Sequence, residues 1–247
     1  MAKILKGKCF ILITALLLGF SCIQAQTLGF KLEEGAKKIT IPFEVYNNLI
    51  VIPVVVNDQL PLRFVLDTGV RTTILTEKTF SDLLQLEYNK KYTIAGFGEI
   101  PLIEAYITNG VSLTLPGIRG EGHAMLVLKE DYLELRNYLG TEVHGVLGYE
   151  LFSRFVIGID YDKRLITVST PDNFKKKGKW EAIPISIEDT KPYVYGSITY
   201  AENEAPVPLK LLIDTGASHG LILNEETAPN LYLPEKNVHT SLGRGLG

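Results

Sequence analysis

The tripeptide Asp-Thr-Gly occurs twice in this 247-residue chain, as Asp67-Thr68-Gly69 and Asp214-Thr215-Gly216, each time at the end of an apolar run. The approaches agree position by position: Pro61-Leu62-Arg63-Phe64-Val65-Leu66 leads into the first copy and Pro208-Leu209-Lys210-Leu211-Leu212-Ile213 into the second. A short apolar segment follows each, Ile74-Leu75 and Leu221-Ile222-Leu223, and then a glycine pair, Gly96-Phe97-Gly98 and Gly243-Arg244-Gly245. The first glycine of each pair lies 29 residues after its aspartate (96 − 67 and 243 − 214). Spacing preserved over such a distance marks an internal duplication with a repeat of 147 residues (214 − 67). A chain of this kind is constrained to build one unit twice, with the two aspartates in equivalent places.

These residues resemble the aspartic proteases, both the two-lobed pepsin-like enzymes and the smaller retroviral type, over about residues 38–247. The resemblance implies an all-β fold of two acid-protease β-barrel lobes related by a pseudo-twofold axis. Each lobe supplies one Asp-Thr-Gly loop, so Asp67 and Asp214 would face each other as the catalytic pair. Thr68 and Thr215 would bond across to the opposite loop, and Gly69 and Gly216 would let the loops turn tightly and approach the carboxylates. Gly96, Phe97, Gly98, Gly243, Arg244 and Gly245 correspond to the flap tips that fold over substrate. Phe97 is a candidate lid or an ordinary hairpin-tip contact, and Arg244 would make the two flaps chemically unequal.

The chemistry asks for what the motif offers. Two carboxylates a few ångströms apart cannot both ionise, so one keeps a proton and the pair acts as joint acid and base. Neither metal nor cofactor is expected. Pepsin-like enzymes usually carry a hydroxyl after Asp-Thr-Gly, whereas this chain has Val70 and Ala217. Losing that donor should raise the pair's pKa values and move the optimum toward mildly acidic or neutral pH.

The rest of the first repeat reads as β-structure. Segments 38–43, 49–56 and 62–66 are strand-like, with Asn57-Asp58 as a turn. His144-Gly145-Val146-Leu147-Gly148 matches the strand that the family runs behind the catalytic loop, and 155–162 with 164–168 reads as a hairpin. Thr76 is expected to cap a helix running through 80–86, and 130–138 to form another that ends at Gly140. In the second repeat, 192–200 and 207–213 form the opening hairpin. Only Leu246 and Gly247 follow its flap glycines, whereas the first repeat runs on from Gly98 to about Thr170. The second lobe is therefore expected to be incomplete and the chain a fragment; bacterial relatives of this layout often continue into a small peptide-binding PDZ domain. The organisation expected is signal peptide 1–25, first lobe 26–172, linker 173–181 and incomplete second lobe 182–247.

Composition sets the compartment and excludes partners. Lys3, Lys6 and Lys8 precede an apolar stretch from Cys9 to Phe20, and Ser21-Cys22-Ile23-Gln24-Ala25 follows, the layout of a secretory signal cleaved after Ala25. The alternative makes Cys22 a lipid attachment site and the chain membrane-anchored, although Gly19-Phe20-Ser21 lacks the aliphatic residue expected three before the cysteine. Cys9 and Cys22 are the chain's 2 cysteines, so the cleaved protein would have neither disulfides nor thiolate metal sites. Removing three lysines leaves 22 basic residues (25 − 3) against 28 acidic, which disfavours nucleic acid as a partner. Lys175-Lys176-Lys177 and Lys179 read as a solvated linker.

Among single residues, His219 is read as a rim residue, and His123, His144 and His239 show no metal-ligand spacing. Arg71 is expected to pair with a structural acid in its own lobe, the alternative being a substrate carboxylate. The function expected is an exported aspartic endopeptidase acting on a peptide or protein substrate. The alternative is a non-catalytic peptide-binding module of the same fold. A first lobe that dimerises alone is disfavoured by the second copy.

Overall fold

The structure, a computed structural model, describes residues 28–94, 103–176, 178–200, 205–224, 227–232 and 236–238. The signal segment, Cys22, His239 and all six flap residues, Gly96, Phe97, Gly98, Gly243, Arg244 and Gly245, lie outside them.

The chain opens with β1 (Gly29–Leu32), β2 (Lys38–Pro42) and β3 (Glu44–Tyr46), then forms a hairpin of β4 (Leu49–Val56) and β5 (Leu60–Leu66). Asn57 and Asp58 turn that hairpin with φ of 50° and 54°, a left-handed conformation that Asn and Asp adopt more readily than other side-chain-bearing residues. β6 (Thr73–Leu75), helix α1 (Lys78–Leu83) and β7 (Lys90–Ile94) come next, followed by the long strands β8 (Ile103–Leu115) and β9 (Ile118–Leu128). Helix α2 (Leu135–Leu139), β10 (Gly145–Leu147) and helix α3 (Tyr149–Phe152) precede the hairpin of β11 (Val156–Asp160) and β12 (Leu165–Ser169). Residues 174–176 and 178–185 are exposed and carry no regular structure. Beyond them lie β13 (Ser186–Glu188), β14 (Lys191–Ile198) and β15 (Val207–Leu212).

Pairing closes the first repeat into a barrel. β4 pairs with β5, β5 with β10, β10 with β6, β6 with β9, β9 with β8, and β8 returns to β4 through Val55 against Thr114 and Val56 against Leu113. Ile50, Ile52, Val54, Val56, Phe64 and Leu66 point into the barrel core with Leu113, Met125 and Leu147. Their neighbours Leu49, Val51 and Val65 are buried on the outer face against Leu139 and Val143 near α2. Burial on both faces explains why 49–56 and, apart from Arg63, 62–66 are apolar runs rather than alternating ones. Each such fully buried side chain contributes about 1.5–3 kcal/mol.

β10 lies between β5, to which it is parallel, and β6, to which it is antiparallel. It therefore passes behind the loop that joins those two strands, as the sequence led us to expect of residues 144–148. A Cβ on Gly148 would lie 2.0 Å from the Val70 carbonyl oxygen, so glycine is required where the strand leaves the loop.

Two helices differ from expectation. Thr76 caps nothing: its hydroxyl donates to the His144 carbonyl at 2.9 Å, and α1 begins after Glu77 without a side-chain cap. A buried hydroxyl takes the acceptor beside it. α2 starts at Leu135 rather than near 130, because Asp131 Oδ1 accepts from the Glu134 N–H at 3.0 Å and Glu134 itself is left-handed at φ 46°. Gly140 ends the helix at φ 65°, as expected.

A second sheet joins β2, β12 and β11, and a third joins β13, β14 and β15. The third packs Val207, Leu209 and Ala228 into a small core. Here the repeats diverge. Leu66, Ile74 and Leu75 are 0%, 4% and 0% exposed, whereas their counterparts Ile213, Leu221 and Ile222 are 39%, 54% and 53% exposed. Among the described residues, no strand pairs with the edge of β15 that corresponds to the edge of β5 covered by β10.

Candidate active site

β5 ends at Leu66, whose side chain is locked in the core, and the next residue is Asp67. The Asp67 N–H donates to the Leu147 carbonyl at 2.9 Å, so β10 fixes the start of the loop. The loop then curls back: the Gly69 N–H donates to Asp67 Oδ1 at 2.6 Å, and the Gly216 N–H donates to Asp214 Oδ1 at 2.8 Å. Both copies of the motif thus hold their carboxylates in the same way.

The two loops interlock. The Thr68 N–H donates to Thr215 Oγ1 at 3.1 Å, and the Thr215 N–H donates to Thr68 Oγ1 at 3.1 Å. Each hydroxyl in turn donates to the residue before the opposite aspartate, Thr68 to the Ile213 carbonyl at 2.6 Å and Thr215 to the Leu66 carbonyl at 2.8 Å. These four bonds form two pairs related by the 147-residue repeat. A hydroxyl both donates and accepts, so one threonine on each side completes the pattern.

The interlock brings the carboxylates together. A Cβ on Gly69 would lie 3.2 Å from Asp214 Oδ2, and one on Gly216 would lie 2.2 Å from Asp67 Oδ2. Each glycine therefore clears room for the opposite aspartate. Burial, then the charge of Asp214 and a hydrogen bond to it, push Asp67 up from 3.8 to about 7, against the N–H groups of Gly69 and Val70, which act in the other direction. The largest of these causes is burial. Such a pair titrates as a unit.

Further out, the repeats contact each other crosswise. Arg71 Nη1 lies 3.1 Å from Asp189 Oδ1 at the β13–β14 turn, while Asn48 Nδ2 at the β3–β4 turn donates to the Ser218 carbonyl at 3.0 Å. Arg71 and Ser218 are equivalent positions, each four after its aspartate. Both turns are left-handed, with φ of 46° and 66° at Asn47 and Asn48 and 46° and 70° at Asp189 and Thr190. The acid that meets Arg71 is therefore in the other repeat, not its own as the sequence reading had it. Tyr138 Oη lies 2.5 Å from Ser218 Oγ, which is 3.2 Å from Nδ1 of the exposed His219, at the rim.

His144 receives the Arg63 N–H on Nδ1 at 3.1 Å and packs edge-on against Phe80, and burial lowers its pKa. His123 is buried beside Glu150, a contact that no motif announced. Among the described residues no cluster of His, Cys, Asp and Glu is arranged to hold a metal.

Two aspartates in contact, on interlocked Asp-Thr-Gly loops that follow β5 and β15, make an aspartic-protease type of arrangement. Residues 52–151 match the family described as aspartyl protease. Among solved structures it is similar to a retropepsin-like aspartic protease from Rickettsia conorii, at 22% identity over 58% of this chain and 96% of that one, with a TM-score of 0.36. No curated protein matches.

Proposed function

We propose that this chain is an exported aspartic endopeptidase in which Asp67 and Asp214 share the acid and base roles. The observation that carries the reading is the contact between the two carboxylates across the threonine interlock, with Asp67 pushed up to about 7. Below that pH Asp67 keeps its proton and Asp214 is the base. A water between them gives a proton to the Asp214 carboxylate as its oxygen attacks the peptide carbonyl, and Asp67 gives its proton to the carbonyl oxygen. Collapse of the resulting diol returns a proton to Asp67, and Asp214 protonates the departing amide nitrogen as the C–N bond breaks.

Residues 26–172 and 182–247 would be the two lobes, 173–181 the linker, and the segments around Gly96–98 and Gly243–245 the flaps over an extended peptide. Residues 1–25 would be the cleaved export signal, with lipidation at Cys22 as its alternative. The mass of the mature protein distinguishes a terminus at Gln26 from a lipidated Cys22.

One observation favours a second reading, a peptide-binding module without turnover: Ile213, beside Asp214, is 39% exposed, and Leu221 and Ile222 are more than half exposed. Hydrolysis of a mixed peptide library, with Asp67→Asn and Asp214→Asn as controls, separates the two. Cleavage lost in both variants supports the protease. Peptide binding without cleavage in the unaltered protein supports the module.

A further inference from the structure

The loop that carries Asp67 is held from behind by one short stretch of chain. Leu147 fixes its start, and the Tyr149 N–H donates to the Val70 carbonyl at 2.9 Å in its middle. At its far end the side chain of Thr73, 0% exposed, donates to Glu150 Oε2 at 3.1 Å. The same carboxylate oxygen lies 3.1 Å from Nδ1 of His123, a residue of β9 that is 4% exposed and packed on Phe30 with ring centroids 4.2 Å apart. A carboxylate only accepts, so Nδ1 carries the hydrogen, and Nε2 is left buried without a partner. An imidazole that leaves one buried nitrogen unsatisfied while donating from the other is held where its single bond is made.

We propose that Glu150 is a positioning residue for Asp67, acting through Thr73 at the exit of the active-site loop, with His123 orienting its carboxylate. The second repeat cannot make the Thr73 contact, since Gly220 stands where the first has Thr73 (73 + 147). The device therefore acts on one aspartate of the pair and makes the two unequal. A loop whose start, middle and end are each bonded to 147–150 keeps its carboxylate in place against Asp214, and loosening the end lets Asp67 move away from that neighbour and toward solvent.

This inference rests on the proposed catalytic reading, and its test separates the two. In the full-length chain, Thr73→Val and Glu150→Ala are compared with the conservative Thr73→Ser and Glu150→Gln, each of which keeps an oxygen at the contact. Two quantities are measured: kcat and KM on a cleaved peptide, and the titration midpoint of Asp67 followed by its side-chain carbon resonance. The first two variants are expected to lose kcat about 10- to 100-fold at nearly constant KM, with the Asp67 midpoint moving down toward the ordinary carboxylate range. The conservative pair should stay near the unaltered protein. Thr73→Val changes no charge, so a shift there reports position alone. The double variant Thr73→Val/Glu150→Ala should be no worse than its poorer single, whereas independent effects would multiply. An unmoved Asp67 midpoint in Thr73→Val overturns the proposal. If the midpoint moves but the unaltered chain cleaves nothing, the positioning role stands and the protease reading falls.

Discussion

Asp67→Asn should abolish the pH dependence that this one residue imposes on stability. The folded chain holds Asp67's proton up to about 7, against 3.8 for an ordinary aspartate. Between those values the folded state binds a proton that the unfolded state has released, so stability falls as pH rises. The contribution is whole below about 3.8 and gone above about 7. At about 1.4 kcal/mol per pKa unit the shift corresponds to at most about 4 kcal/mol, and sharing of the proton with Asp214 makes about 2–4 kcal/mol the reasonable range. Asparagine keeps an oxygen for the Gly69 N–H and a donor for Asp214, but it has no proton to lose, so it mimics the protonated side chain at every pH. Urea unfolding of both proteins at intervals from about pH 4 to pH 8 reads the difference directly, because groups remote from the pair titrate alike in the two. The variant should match the parent near pH 4 and exceed it by about 2–4 kcal/mol near pH 8. A constant difference across the range would refute the assignment of a buried, proton-retaining Asp67.

Three further outcomes follow from the same geometry. In the active enzyme kcat/KM should fall as pH rises through about 7, where Asp67 loses the proton it donates; a rate still climbing at pH 9 would contradict that role. Gly148→Ala should cost about 3 kcal/mol or more in unfolding experiments, since its Cβ meets a backbone oxygen at 2.0 Å and the loop must shift to admit it. Thr215→Val removes the donor to Leu66 and strands the Thr68 N–H, so about 2–4 kcal/mol should be lost and hydrolysis with it, measured by thermal unfolding and peptide cleavage.

The parts of this site that could be read from the chain are those that the duplication repeats. Asp67 with Asp214, Thr68 with Thr215 and Gly69 with Gly216 recur at one offset, and each pair makes the same bond on both sides. Gly145-Val146-Leu147-Gly148 was legible for another reason: a strand wedged between β5 and β6 must be apolar on both faces and bare where it meets Val70. The crosswise contacts were not legible, because Arg71 and Asp189 are 118 residues apart and the equivalent contact from Ser218 uses a backbone oxygen and Asn48 instead of charges. Glu150, His123 and Thr73 were hidden for a related reason. They are brought together by three separate elements of one repeat, and Gly220, at the position equivalent to Thr73, has no side chain to repeat its contact. Repetition reveals what the two halves must share, so the residues that make Asp67 and Asp214 different are the ones a repeat-based reading passes over. An acid-base pair works by being unequal, and the inequality proposed here rests on Thr73, whose counterpart is Gly220, and on the greater burial of Asp67 than of Asp214.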